Sequence, residues 1–127
     1  MTENEIAKEI VDCCFKVHST LGAGLFESVY EAALAFEFDK RGIEYTRQEP
    51  IEVYYEDELL DVGFRADFII ENKFIIELKS VETLEKVHHK QILTYLKVTG
   101  MKLGLLVNFN VDLIKEGIHR KINGQLA

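Results

Sequence analysis

No tryptophan, one proline and two cysteines stand among the 127 residues, and each scarcity narrows what the chain can be. The cysteines, Cys13 and Cys14, are neighbours, which suits neither a disulfide framework nor a zinc site. They read as buried thiols in a reducing, cytoplasmic setting. A lone proline, Pro50, leaves no proline-rich linker, and no repeat or low-complexity tract interrupts the chain. No apolar run approaches membrane-spanning length, and the acidic N-terminus is unlike a signal peptide. Basic residues are also in deficit: 15 Lys and Arg against 22 Asp and Glu give a formal charge of −7. That sum argues against a tight, nonspecific grip on phosphates, although the distribution of charge counts for more than the total.

What is present is ordinary for a single domain over 1–127, with 47% hydrophobic and 29% charged residues. Thr2 and Glu5 have capping-box spacing, and Ile6, Ile10, Cys13, Cys14, Val17 and Leu21 form one stripe, so 3–20 is expected to be helical. Gly22 and Gly24 end it in a tight turn. A second helix is expected over 27–41, with Glu27 heading a stripe of Tyr30, Leu34 and Phe38. An acid there is either a partner for the helix dipole or a carboxylate aimed into a site. Strands follow over 45–48 and 51–55, with Pro50 as a bend or edge between them. Glu56-Asp57-Glu58 is expected as a hairpin tip, and the next strand should continue through Leu59 to Ile70.

Thr83 is expected to cap a third helix over 84–99. Its sheet-facing stripe is read as Leu84, Val87, Gln91, Tyr95 and Val98, flanked by His88, Ile92 and Leu96, which would put the Gln91 amide against the sheet. Lys86, Lys90 and Lys97 point the opposite way, as a solvated face. KLGLLVNF over 102–109 is a strand covered on both faces, and 118–122 is a short last strand.

The centre of the chain is FRADFIIENKFIIELKS over 64–80, two apolar runs joined by Glu71-Asn72-Lys73. With period-two alternation, Phe64, Ala66, Phe68 and Ile70 share one face, and Arg65, Asp67 and Ile69 the other. A three-residue corner sets Asp67 across from Glu77; a two-residue corner sets it across from Leu78. Facing carboxylates repel unless a cation lies between them, and Lys79 returns to the same face. Residues alone leave two readings: a metal cluster, or a solvated face on which Arg65 and Lys79 neutralise the acids.

The order helix, three-stranded meander, helix, strand, with Asp67, Glu77-Leu78-Lys79, Glu27 and Gln91 at these places, resembles the PD-(D/E)XK nuclease superfamily. Gly24-Leu25-Phe26-Glu27-Ser28-Val29-Tyr30, Gln91 with Tyr95-Leu96, and Gly104 to Phe109 extend the likeness to that superfamily's small "GxxExxY" proteins over nearly the full length. Ala66 and Ala23 stand where relatives often carry proline.

The resemblance implies an α/β (α+β) restriction-endonuclease-like core, αβββαβ, with a mixed sheet flanked by helices and an extra N-terminal helix. It implies Mg2+ or Mn2+ held by Asp67, Glu77 and the Leu78 carbonyl, with Glu27 as a further ligand directly or through water. Lys79 would position water or stabilise charge on phosphate, and Gln91 would orient Lys79 or the substrate. The implied reaction is hydrolysis of phosphodiester bonds in nucleic acid, DNA ahead of RNA. The alternative is a catalytically silent module of the same fold that binds nucleic acid or protein, including as a homodimer through its N-terminal helix.

Overall fold

The computed structural model describes residues 1–126. Two helices come first, α1 (Glu3–Leu21) and α2 (Glu27–Arg41). The capping box at Thr2 and Glu5 forms as the spacing predicts. Strand β1 (Tyr45–Ile51) follows, then a small hairpin of β2 (Tyr54–Tyr55) and β3 (Glu58–Leu59). Strands β4 (Phe64–Ile70) and β5 (Phe74–Lys79), helix α3 (Lys86–Thr99), β6 (Leu103–Asn108), a 3-10 turn (Ile114–Glu116) and β7 (Ile118–Ile122) complete the chain.

One mixed sheet runs in the order β1-β4-β5-β6-β7, with β5 and β6 parallel and the other neighbours antiparallel. Helices α1 and α2 bury Ile6, Ile10, Leu34 and Phe38 against Phe68, Ile70, Ile76 and Leu78 on one face. On the other face Leu96 of α3 covers Ala66, Ile69 and Ile75. A mixed sheet between helices is the architecture of a restriction-endonuclease-like fold. Among the described residues no helix is long and apolar enough to cross a membrane.

Several boundaries differ from the sequence expectation. Strand β1 runs unbroken through Pro50, which pairs with Arg65. It is an edge strand, where a missing N–H costs no ladder bond. The β2–β3 hairpin stands apart as its own two-stranded sheet, so β4 begins only at Phe64. Helix α3 starts at Lys86 with Glu85 as its cap, leaving Leu84 outside it.

A further difference concerns alternation within β4. Phe68 and Ile70 pack under α1 and α2, but Phe64 and Ala66, expected on the same face, turn toward α3. The strand changes face at Asp67. The β1–β4 ladder skips Gln48 and Asp67 there, and Gln48 adopts φ +51, so both strands twist through at one point.

Candidate metal centre

The corner between β4 and β5 is a three-residue loop, with Ile70 opposite Phe74 and φ of +48 and +59 at Glu71 and Asn72. That register carries Asp67 to Glu77, as parity predicts for this loop length. The backbone ladder ends one pair earlier, at Phe68 and Ile76. Side chains continue it. The Leu78 N–H donates to Asp67 Oδ2 at 2.8 Å, and the Asp67 N–H donates to Glu77 Oε1 at 3.2 Å.

Glu77 is only 6% exposed, a setting in which a carboxylate is costly unless compensated. Burial first, and then the Asp67 charge, push its pKa up to about 8. The Asp67 N–H bond and the Lys79 ammonium pull the other way without overcoming burial and the Asp67 charge. The neutralised, solvated face does not form. Arg65 donates instead to the Gln48 carbonyl, and no ion pair reaches Asp67 or Glu77 among the described residues.

Lys79 closes β5 opposite Asn108 of β6, and its carbonyl accepts from the Phe109 N–H at 2.9 Å. Asn108 is buried, and its side-chain amide imitates a backbone partner. Nδ2 donates to the Val81 carbonyl at 2.9 Å and Oδ1 accepts from the Val81 N–H at 3.1 Å. The Lys79–Val81 exit is therefore fixed from the neighbouring strand. From the other side, Ser80 Oγ donates to the Leu25 carbonyl in the α1–α2 loop. Tyr30 holds that loop closed: its hydroxyl donates to the Gly22 carbonyl at 2.6 Å and accepts from the Leu25 N–H at 3.1 Å. Its ring stacks on Phe109 with centroids 4.5 Å apart.

The expected helix-borne groups are placed less simply. Tyr30, Leu34 and Phe38 are buried as predicted, but Glu27 is exposed at the first position of α2 and makes no hydrogen bond or ion pair among the described residues. One turn on, Glu31 is the α2 acid that is linked to Asp67. It accepts from Arg47 Nη2 at 2.9 Å and from Gln48 Nε2 at 2.6 Å, and the same Nε2 donates to Asp67 Oδ1 at 2.9 Å. Neither Glu31 nor Gln48 stands out in the sequence. Glu31 could have been found as the i+4 neighbour of Glu27, whereas nothing local marks Gln48.

Gln91 does not lie against the sheet. The buried face of α3 carries Ile92 and Leu96, and Gln91, Val87 and Val98 are exposed. Tyr95, one turn beyond Gln91, is the half-buried residue of this helix face that feels the charge of the acids. Its ring stacks on Phe64 at 3.8 Å, and its pKa is raised by burial and then by the charges of Glu77 and Asp67. Asp67 and Glu77 thus meet across adjacent strands with Lys79 two residues on, whereas Gln91 and Glu27 are exposed and make no hydrogen bond or ion pair to any of the three among the described residues.

No group of three His, Cys, Asp or Glu side chains gathers to hold an ion among the described residues, so the centre rests on a pair of carboxylates. A cleft of about 570 Å3 lies between Pro50–Glu52 and Leu59–Arg65, and neither Asp67 nor Glu77 lines it.

No curated protein matches the chain in sequence. Among solved structures, the crystal structure of SSO0001 is 26% identical over 80% of this chain, with a TM-score of 0.50. The match takes in 52% of that protein, so this chain spans about half its length. The profile of the PD-(D/E)XK nuclease superfamily matches residues 4–121, nearly all of the described sheet and helices. With the acid pair and lysine where two adjacent strands of a mixed sheet meet, the chain belongs to the PD-(D/E)XK nuclease superfamily.

Proposed function

We propose that this chain is a single nuclease domain of the GxxExxY kind that hydrolyses phosphodiester bonds of nucleic acid with Mg2+ or Mn2+. One observation carries the reading: Glu77, almost fully buried, meets a second carboxylate, Asp67, on the neighbouring strand, with Lys79 two residues away. Such a pair is costly in isolation and is what a hard cation with oxygen preference would relieve. The donor chemistry therefore fits the ion. Asp67 and Glu77 would hold it, with the Leu78 carbonyl and with Glu27 directly or through water. Bound there, the ion supplies neutralisation of phosphate charge and a lowered pKa for a bound water.

The remaining residues act by orientation. Lys79, its backbone fixed by Phe109, donates to the phosphate or to the attacking water. Gln91, exposed beside Tyr95, meets the substrate or orients Lys79. The charge distribution is compatible with a nucleic-acid partner in spite of the net −7: α3 and β7 carry Lys86, Lys90, Lys97, Arg120 and Lys121 and no acid. Those two elements pack side by side, with His89 against His119 at 5.1 Å. We assign the chain to the cytoplasm, on two buried, unpaired cysteines.

Hydrolysis of single- and double-stranded DNA and RNA with Mg2+ or Mn2+ tests the assignment. Wild type should be active, and Glu77→Gln and Lys79→Ala reduced by at least ~100-fold, the scale for losing one electrostatic catalytic group. Equal activity in all three indicates a contaminant and ends the proposal. A second reading is favoured by the satisfied state of the acids, since Gln48, Leu78 and the Asp67 N–H already donate to them. On that reading the domain binds nucleic acid or protein without turnover, including as a homodimer. Binding without hydrolysis under every divalent ion would select it.

A further inference from the structure

The residue joining the helix acid to the strand acids is Gln48. It lies in the edge strand β1, at the one place where the β1–β4 ladder is interrupted. Its φ of +51 is in the left-handed region, which is unfavourable for a residue with a Cβ. No turn demands that conformation, because Arg47 and Glu49 on either side remain in register with Phe68 and Ala66. What the conformation achieves is aim. Both hydrogens of Nε2 are committed, to Glu31 Oε1 at 2.6 Å and to Asp67 Oδ1 at 2.9 Å, and the Gln48 carbonyl accepts from Arg65 Nη1 at 3.0 Å. Arg47 Nη2 holds the other oxygen of Glu31 at 2.9 Å.

An unbroken chain of hydrogen bonds results: Arg47 to Glu31, Gln48 to both Glu31 and Asp67, the Leu78 N–H to Asp67, and the Asp67 N–H to Glu77. With Oδ1 held by Gln48 and Oδ2 by Leu78, the plane of the Asp67 carboxylate is fixed from two directions. Strain retained in a backbone beside a functional group is what evolution tolerates when the aimed side chain is needed.

We infer that Gln48 is a positioning residue of the metal centre, orienting Asp67 for the divalent ion and coupling it to Glu31 on α2. This rests on the metal-dependent reading above. The competing role is purely structural, an amide that pins α2 to the sheet edge.

Two variants separate the roles, measured on metal-free protein by calorimetric titration with manganese alone and by thermal unfolding. Gln48→Ala loses the amide and keeps an unfavourable backbone. Gln48→Gly loses the same amide and relieves the backbone. A positioning role predicts that manganese affinity falls in both by about 10–100-fold, the range for partners of metal ligands. The glycine variant should unfold at a higher temperature than the alanine variant, so that affinity and stability part company. Unchanged manganese affinity in both variants, or affinity lost only in step with melting temperature, overturns the inference while leaving the nuclease reading intact. A wild type that does not bind manganese at millimolar concentration overturns both.

Discussion

Replacing Glu77 by glutamine probes the acid pair without requiring any activity. In metal-free protein Glu77 has a folded pKa of about 8 against a reference of 4.5, from burial first and the neighbouring Asp67 second. The sign follows from proton binding: between those values the folded state holds the proton and the unfolded state has released it. Stability therefore falls as pH rises. Between pH 5 and pH 8 the loss integrates to on the order of 3 kcal/mol, enough to lower the melting temperature by about 10 °C in a chain of this size. A glutamine imitates the protonated acid: its Oε1 still accepts from the Asp67 N–H, and it adds an N–H toward the Asp67 carboxylate. Urea unfolding in EDTA at pH 5 and pH 8 gives the assay. Other titrating groups contribute to both proteins and cancel, so the wild type should lose about 3 kcal/mol more than Glu77→Gln across that interval. At pH 8 the variant should be the more stable protein. Parallel pH dependence of the two would refute the burial of a shared carboxyl pair and remove the physical reason for an ion there.

Two further outcomes test the frame around the centre. Cys13 and Cys14 are fully buried, with the Cys13 thiol pushed up to about 11 and Cys14 higher still, both by burial. A thiol reagent at pH 8 should modify them only at the rate of unfolding, and fast labelling of native protein would contradict the packing of α1. Gly117→Ala would bring a Cβ within 2.1 Å of the Asn108 carbonyl oxygen, a backbone atom that cannot swing aside. We expect a loss of about 2–4 kcal/mol by chemical denaturation, and a neutral substitution would mean that the β6–β7 junction is looser than described.

Alternation and turn length made the hairpin legible: once the corner holds three residues, Asp67 must face Glu77, and the register agrees. Helix α2 was legible from a different period, since Tyr30, Leu34 and Phe38 recur every four residues and form one buried stripe. The face of α3 was misread because Leu84 and Val87 were counted on its packed side. With the helix beginning at Lys86 and Val87 exposed, its buried face centres on the flanking Ile92 and Leu96, leaving Gln91 exposed. Gln48 was invisible for a different reason. A positive φ at glutamine has no composition signal, and its two acceptors, Glu31 and Asp67, lie 17 and 19 residues away. The crossing of β4 from one face to the other at Asp67 is hidden likewise, because a period-two reading presumes an uninterrupted ladder.

The parallel pairing of β5 with β6 bears on the order in which the centre can be assembled. All the acids are present once the chain has been made as far as Glu77, yet Lys79 and Val81 are held by Asn108 and Phe109, and β6 in turn is flanked by β7. Antiparallel β4 and β5 can meet early through a short corner, whereas a parallel neighbour must wait for the α3 crossover and its loop-closure entropy. A growing or partly unfolded chain would thus carry the carboxylates without a fixed lysine. On the proposed reading, competence for ion-assisted chemistry would then depend on the pairing of β6 with β5 and not on the acid hairpin alone.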